Sequence, residues 1–285
     1  MLESKSNPDQ GKDGSSDFLP PILPIVFDQP LQWLALGFKD FARSPWLSTL
    51  HGLIISLWGI VITWIAHDQF WLLAGCLSGF LVIAPVLATS LYAMSRAMER
   101  GETVNFQLLV NTWTQWRLRL RLQPDSYWSL IRFGLLLALA ATGWVITSAA
   151  LITLMAPAPI HTPMDFVRHV VLNPNHFLFE FWLGMGGLMA APVFASSVIS
   201  MPLLLDRKVS VLQAVLTSWK TVLTHPLEMA FWAFLIMGFC LLGIFSFYLG
   251  LILVVPMLGH ASWHAYRHLI DVSGLQERLS GQGEC

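Results

Sequence analysis

Apolar residues run through this chain in long blocks, and the charged residues fall between the blocks. Asp, Glu, Lys and Arg are absent from residues 44–67, 69–95, 133–164, 181–205 and 231–266. A helix needs about 20 apolar residues to cross a hydrocarbon core of about 30 Å, so each of the first four blocks predicts one spanning helix. In the third, Pro157, Pro159 and Pro163 predict a helix end near Met155, because proline breaks the hydrogen-bond ladder and restricts the residue before it. The last block does not fit one crossing. A single helix from Met229 to Tyr266 would be about 57 Å long, more than tilting absorbs. Two short spans with a tight turn between about Gly243 and Gly250 fit better, which makes about six spans.

The pattern repeats. Residues 31–45, LQWLALGFKDFARSP, align without a gap with residues 212–226, LQAVLTSWKTVLTHP. Leu31, Leu34, Phe38 and Phe41 fall on Leu212, Val215, Trp219 and Val222, one face of a helix. Gln32, Lys39, Asp40 and Arg43, and Gln213, Lys220 and Thr221, occupy the opposite faces. Each segment ends at a proline where a span begins, so both predict amphipathic helices lying in the membrane interface. Residues 107–123 form a looser third copy, since the RLRLRL run weakens its helical period.

The second span of each pair also repeats. Residues 79–100 match residues 186–207 without gaps, with Pro85 on Pro192 and Glu99-Arg100 on Asp206-Arg207; Pro256 marks the same frame in the last span. Three tandem units result, each a span followed by a span with a mid-helix proline. Pro85, Pro192 and Pro256 are the expected kink and packing positions. Small residues follow each one, so the proline spans are expected to pack centrally with the first spans outside.

Composition supports a bilayer protein. Of 285 residues, 12% are charged and 55% hydrophobic, with mean hydropathy +0.62. Soluble domains carry about 25% charged residues, so a basic nucleic-acid binder and nearly any cytosolic enzyme are excluded. With the N-terminus inside, six spans put every one of the 16 Lys and Arg except Arg168 on the cytoplasmic side. Both termini are then cytoplasmic. Residues 1–28 predict a disordered polar and proline-rich tail, residues 29–270 one transmembrane helical domain, and residues 271–285 a cytoplasmic tail. Cys76, Cys240 and Cys285 are too few and too far apart for a disulfide framework or a metal clip.

Candidate chemistry is sparse. In GHASWHAYRHLI, residues 259–270, His260, His264 and His268 recur at i, i+4 and i+8 on one helix face. Histidines so spaced can share a metal, and His51 and His225 are expected on the same membrane side. The plainer reading is that they bond to neighbouring helices, with Trp263 and Tyr266 as interfacial anchors. His161, Asp165, His169 and His176 form a weaker cluster on the other side, most simply a wet loop. Arg117, Arg119 and Arg121 can attract anionic headgroups or only mark topology. No charged residue lies in mid-span, and there is no Walker loop, HExxH or GxSxG. A driven pump or a hydrolase is therefore not expected.

The runs PxLLDRxV (202–209), TSWKTVLTHPLEMAFW (217–232) and GHASWHAYR (259–267) resemble a bacterial family of predicted integral membrane proteins, a domain of unknown function. The resemblance covers about residues 31–269 and implies a multi-pass inner-membrane protein. It supplies no activity or site.

The expected fold is all-α: a polytopic membrane protein of about six transmembrane helices in three tandem hairpin units, with amphipathic interfacial helices before units one and three. The expected function is non-enzymatic, passive transport or membrane assembly. A metal- or haem-binding redox role for the C-terminal histidines is the alternative, and no other cofactor is expected. Expected partners are the lipid bilayer and a second copy or another membrane protein, with no nucleic acid.

Overall fold

The computed structural model describes residues 18–65, 86–114, 124–172 and 177–278. Its elements are α1 (Gln29–Arg43), α2 (Pro45–Ile65), α3 (Thr89–Glu99), α4 (Phe106–Thr114), α5 (Pro124–Met155), α6 (Pro163–Phe166, running into a π turn at Val167–Val171), α7 (Leu178–Ser197), α8 (Ser200–Asp206), α9 (Val211–Thr224), α10 (Pro226–Phe245) and α11 (Leu251–Leu269). Apart from two isolated antiparallel bridges, the regular elements among the described residues are helical. Four are long and apolar enough to cross a membrane: Pro45–Ile65, Arg132–Met155, Leu178–Asp206 and Pro226–Phe245. Most of the second expected span, with Pro85 and Cys76, lies outside the described residues, as do Arg117, Arg119, Arg121, His176 and Cys285.

The repeated interfacial helices build the same corner twice. Ser44, between α1 and α2, has φ −133° and ψ 62°; His225, between α9 and α10, has φ −125° and ψ 61°. Each precedes a proline, which disfavours helical backbone at that residue and redirects the chain. The buried stripes also correspond. Trp33, Gly37 and Asp40 of α1 occupy the positions of Ala214, Thr217's neighbour Ser218, and Thr221 of α9, and all six face the protein. Leu31 and Phe38, like Leu212 and Trp219, stay exposed. The apolar stripe therefore faces outward on both helices, and Asp40 does not sit on a water-facing side: it is 3% exposed.

The long last block is broken as expected, by a turn at residues 246–250. Phe247 and Tyr248 take positive φ there, 55° and 67°. Tyr248 is held against α2: its carbonyl accepts from Ser56 Oγ at 2.8 Å, and its hydroxyl meets Thr63 Oγ1 at 2.5 Å. The helix end at Met155 is also as read from the sequence.

Two of the expected kink and packing prolines lie inside helices. Pro192 is exposed inside the continuous helix α7, and Pro256 is inside α11 without a break. The interruption falls at Val198–Ile199, just before Pro202, and proline disfavours a helical carbonyl four residues back. The Ile199 N–H donates to Ser218 Oγ on α9 at 3.1 Å, the neighbour rescue that a broken ladder in lipid requires.

Helix α11 is the hub, packed on α1, α2, α3, α8 and α10. Glycines set its separation from α1 and α2. A Cβ at Gly37 would lie 2.5 Å from the Met257 carbonyl, and one at Gly52 would strike the Ile252 backbone. Helices α2, α5 and α10 show apolar side chains outward, among them Trp58, Leu139 and Phe234. The proline-bearing helix α7 does the same at Phe181, Leu183 and Leu188, so it is not central, whereas α11 is.

Residues 18–28, counted with the disordered tail from sequence, are fixed against the hub. Leu23 N–H donates to Leu269 O at 2.8 Å, and Asp271 N–H to Pro21 O at 3.0 Å. Residues 271–278 fold back as a strap, with Lys208 N–H on Gln276 O and Arg278 N–H on Asp206 O, both at 2.9 Å.

Candidate functional site

The C-terminal half of α11 carries GHASWHAYR, and its polar side chains splay toward three different acids. His264 Nε2 meets Asp40 Oδ2 of α1 at 2.8 Å. Trp263 Nε1–H and Arg267 Nε–H donate to the two oxygens of Glu99 on α3, each at 2.9 Å. The Tyr266 hydroxyl donates to Asp206 Oδ2 at the end of α8, at 2.8 Å. Between them lie Gly259, against Leu91, and the fully buried Ala261 and Ala265. Small residues let the helices close until these bonds form.

The first site is a buried polar chain. Ser48 Oγ of α2 meets His260 Nε2 at 3.0 Å, and His260 Nδ1 meets Ser95 Oγ of α3 at 2.8 Å. Ser95 donates to Asp40 Oδ2 at 2.9 Å. Arg43 lies 3.5 Å from Asp40 Oδ1. A serine has one proton to give, and Ser95 gives it to Asp40. Its oxygen therefore accepts from His260 Nδ1–H, which leaves His260 Nε2 to accept from Ser48. Every donor points toward Asp40. Burial by itself would raise the Asp40 pKa, but the His264 hydrogen bond and charge, with Ser95, outweigh it and hold the group below the usual 3.8.

The second site is a buried ion cluster. Asp206, 2% exposed, has Arg96 Nε at 3.1 Å and Arg100 Nη2 at 3.4 Å from Oδ1, and Arg207 Nε at 2.9 Å from Oδ2. The strap closes it: Arg207 Nη1–H donates to Leu275 O at 3.1 Å, and Glu277 lies 3.2 Å from Arg100 and 3.3 Å from Arg207.

The sequence-predicted residues divide accordingly. His260 and His264 meet through Ser95 and Asp40. His51 stands beside this chain; its Nε2–H donates to Leu87 O at 3.0 Å, and Ser90 Oγ lies 3.3 Å from its Nδ1. His268 Nδ1 instead accepts from Trp33 Nε1–H at 3.2 Å and faces Gln29. His225 holds the N-terminal segment through Leu23 O. Among the described residues, no three His, Cys, Asp or Glu side chains gather as a metal site would need. Asp165 caps its own turn, accepting from Thr162 N–H at 2.9 Å and His161 N–H at 3.2 Å.

Two readings are corrected. Trp263 and Tyr266 are not interfacial anchors; both are buried and bonded to acids. Asp40, read on a polar face, and Arg96 and Arg207, read as topology markers, are buried, and so is Asp206. The one available signal was the repeat itself: Gly37-x-x-Asp40 aligns with Ser218-x-x-Thr221, a second stripe of small and polar positions.

This is an all-helical protein with several helices apolar enough to lie in a membrane. Residues 72–206 match the family described as Predicted integral membrane protein (DUF2189), so the resemblance read from the sequence is to this family of unknown function. The match ends before the GHASWHAYR segment. No curated protein and no solved structure matches the chain.

Proposed function

We propose that the chain is a non-enzymatic, multi-pass protein of the bacterial inner membrane that serves passive transport, with the seam between α2 and α11 as its path. In this reading it has six spans in three hairpin units, with both termini in the cytosol. One observation carries it. Helix α2 is apolar outward, yet Ser48, His51, Ser56 and Thr63 recur along its inner side, each bonded to α11, the turn before it, or α3 and the residues just before it. From Ser48 to Thr63 is about 22 Å of helix, most of a hydrocarbon core of about 30 Å. Gly52 and Gly59 alternate with these groups. Polar groups in lipid are costly and concentrate along solute paths.

Membrane assembly is the second reading, because the polar groups of the seam bond within the chain, which also suits a rigid core for a larger complex. Proteoliposomes separate the two. Passage of protons, read by a trapped pH dye, or of glycerol, read by swelling, supports transport; neither would leave assembly. The topology has its own test: a thiol reagent outside intact spheroplasts should reach Ser246→Cys, and labelling only after lysis would contradict six spans.

A further inference from the structure

We infer that the cluster of Arg96, Arg100 and Arg207 is a binding site for a phosphate group, and that Glu277 of the C-terminal strap occupies it as an internal stand-in. This is independent of the transport reading. The arginines converge from the ends of α3 and α8. Asp206 meets all three, Arg96 and Arg100 at Oδ1 and Arg207 at Oδ2. One buried carboxylate against three guanidiniums leaves two positive charges over. Glu277 offsets one of them: its Oε2 lies 3.2 Å from Arg100 Nη2, and its Oε1 lies 3.3 Å from Arg207 Nη2. One carboxylate thus bridges two arginines with its two oxygens. A phosphate presents the same pair of oxygens with more charge behind them, and the planar guanidinium fork suits it.

Glu277 is placed to be exchanged. Its side chain is 56% exposed, against 26% for Arg100 and 11% for Arg207, so water and salt screen much of its pairing. The strap does not need that carboxylate to stay in place. Leu275 O accepts from Arg207 Nη1–H, Gln276 O from the Lys208 N–H, and Arg278 O from Arg96 Nη2–H, while the Arg278 N–H donates to Asp206 O. The Glu277 side chain can therefore swing into water while the strap backbone holds. Donor capacity is also left over: Arg96 Nε is buried without a well-aligned hydrogen bond, although Asp206 Oδ1 lies 3.1 Å away. The remaining acid nearby, Glu102, acts on Arg96 only through its charge. Depth points the same way. The apolar run Leu178–Asp206, long enough to cross a membrane, ends at this acid, the level at which a bilayer holds its headgroup phosphates. Basic pockets between helix ends take such headgroups, and the same chemistry suits a free phosphate.

The test follows thermal unfolding of the full chain in detergent at matched ionic strength. The probes are inorganic phosphate and short-chain phosphatidic acid, with chloride and short-chain phosphatidylcholine as controls. Wild type should melt higher with a phosphate probe than with its control. Glu277→Gln removes the internal competitor and should reach half of that shift at about fivefold lower probe concentration. Arg100→Gln should lose the shift, whereas a general salt effect would persist in it. Should that variant not fold, Arg100→Lys keeps the charge without the fork and should show a weaker shift than wild type. A shift with phosphatidic acid alone supports the site and assigns it to a lipid headgroup; a shift with inorganic phosphate, alone or as well, supports it and assigns it to the free anion. No shift with either probe, a full shift in the Arg100 variants, or weaker binding in Glu277→Gln would overturn the proposal and leave the transport reading untouched.

Discussion

The Asp40 carboxylate of the first helix and the His264 imidazole of the last lie 2.8 Å apart across 224 positions of sequence. This contact closes the bundle, and it depends on acid. The folded protein holds Asp40 below its usual value of 3.8, so the unfolded chain protonates first. The stability Asp40 contributes is therefore full above that value and is lost as pH falls through 4 and below. Asp40→Asn should melt lower than wild type near neutrality, and the gap should close below about pH 4. A gap constant from pH 7 to 3 would contradict this.

The glycine contacts predict a sharp contrast. Gly37→Ala sets a methyl 2.5 Å from the Met257 carbonyl and 2.6 Å from the Ala261 nitrogen. Backbone cannot swing aside, so α1 and α11 must part, at a cost of about 1–3 kcal/mol. Gly238→Ala on α10 meets nothing within 4 Å and should be neutral or stabilising by up to about 1 kcal/mol. Denaturation of the two variants in detergent compares them directly.

Asp206 contacts three arginines at once. Asp206→Ala leaves Arg96 and Arg207 buried without their carboxylate, and breaking such a buried pair costs about 3–5 kcal/mol. Tyr266→Phe removes one hydrogen bond to the same acid and should cost about 1.5–3 kcal/mol. Folded yield in size-exclusion chromatography should fall in that order.

The break at Val198–Ile199 yields the last prediction. Ser218→Ala strands the Ile199 N–H, a loss of about 1–3 kcal/mol. Pro192→Ala, on an exposed position inside a continuous helix, should stay within about 0.5 kcal/mol of wild type or exceed it. Equal destabilisation by both would contradict this contrast.

Hydrophobic blocks were readable because a span is a local object: length and polarity along the chain set it. The corners at Ser44-Pro45 and His225-Pro226 were readable for the same reason, since proline constrains its own neighbour. The histidine face was visible at i, i+4 and i+8, but its partners were not. His264 turns to Asp40, while His268, one turn on, turns to Trp33 and Gln29.

By itself the sequence determined an all-helical chain with long apolar helices, a repeated amphipathic corner and a central helix rich in polar groups. Only the tertiary structure decided that Asp40 and Asp206 leave water. A carboxylate reads identically in sequence whether it is solvated or paired. What settles it is whether donors from distant helices converge, and here α11 brings His264 to one acid and Tyr266 to the other. Burying a charge is tolerable only where such donors replace the water it gives up.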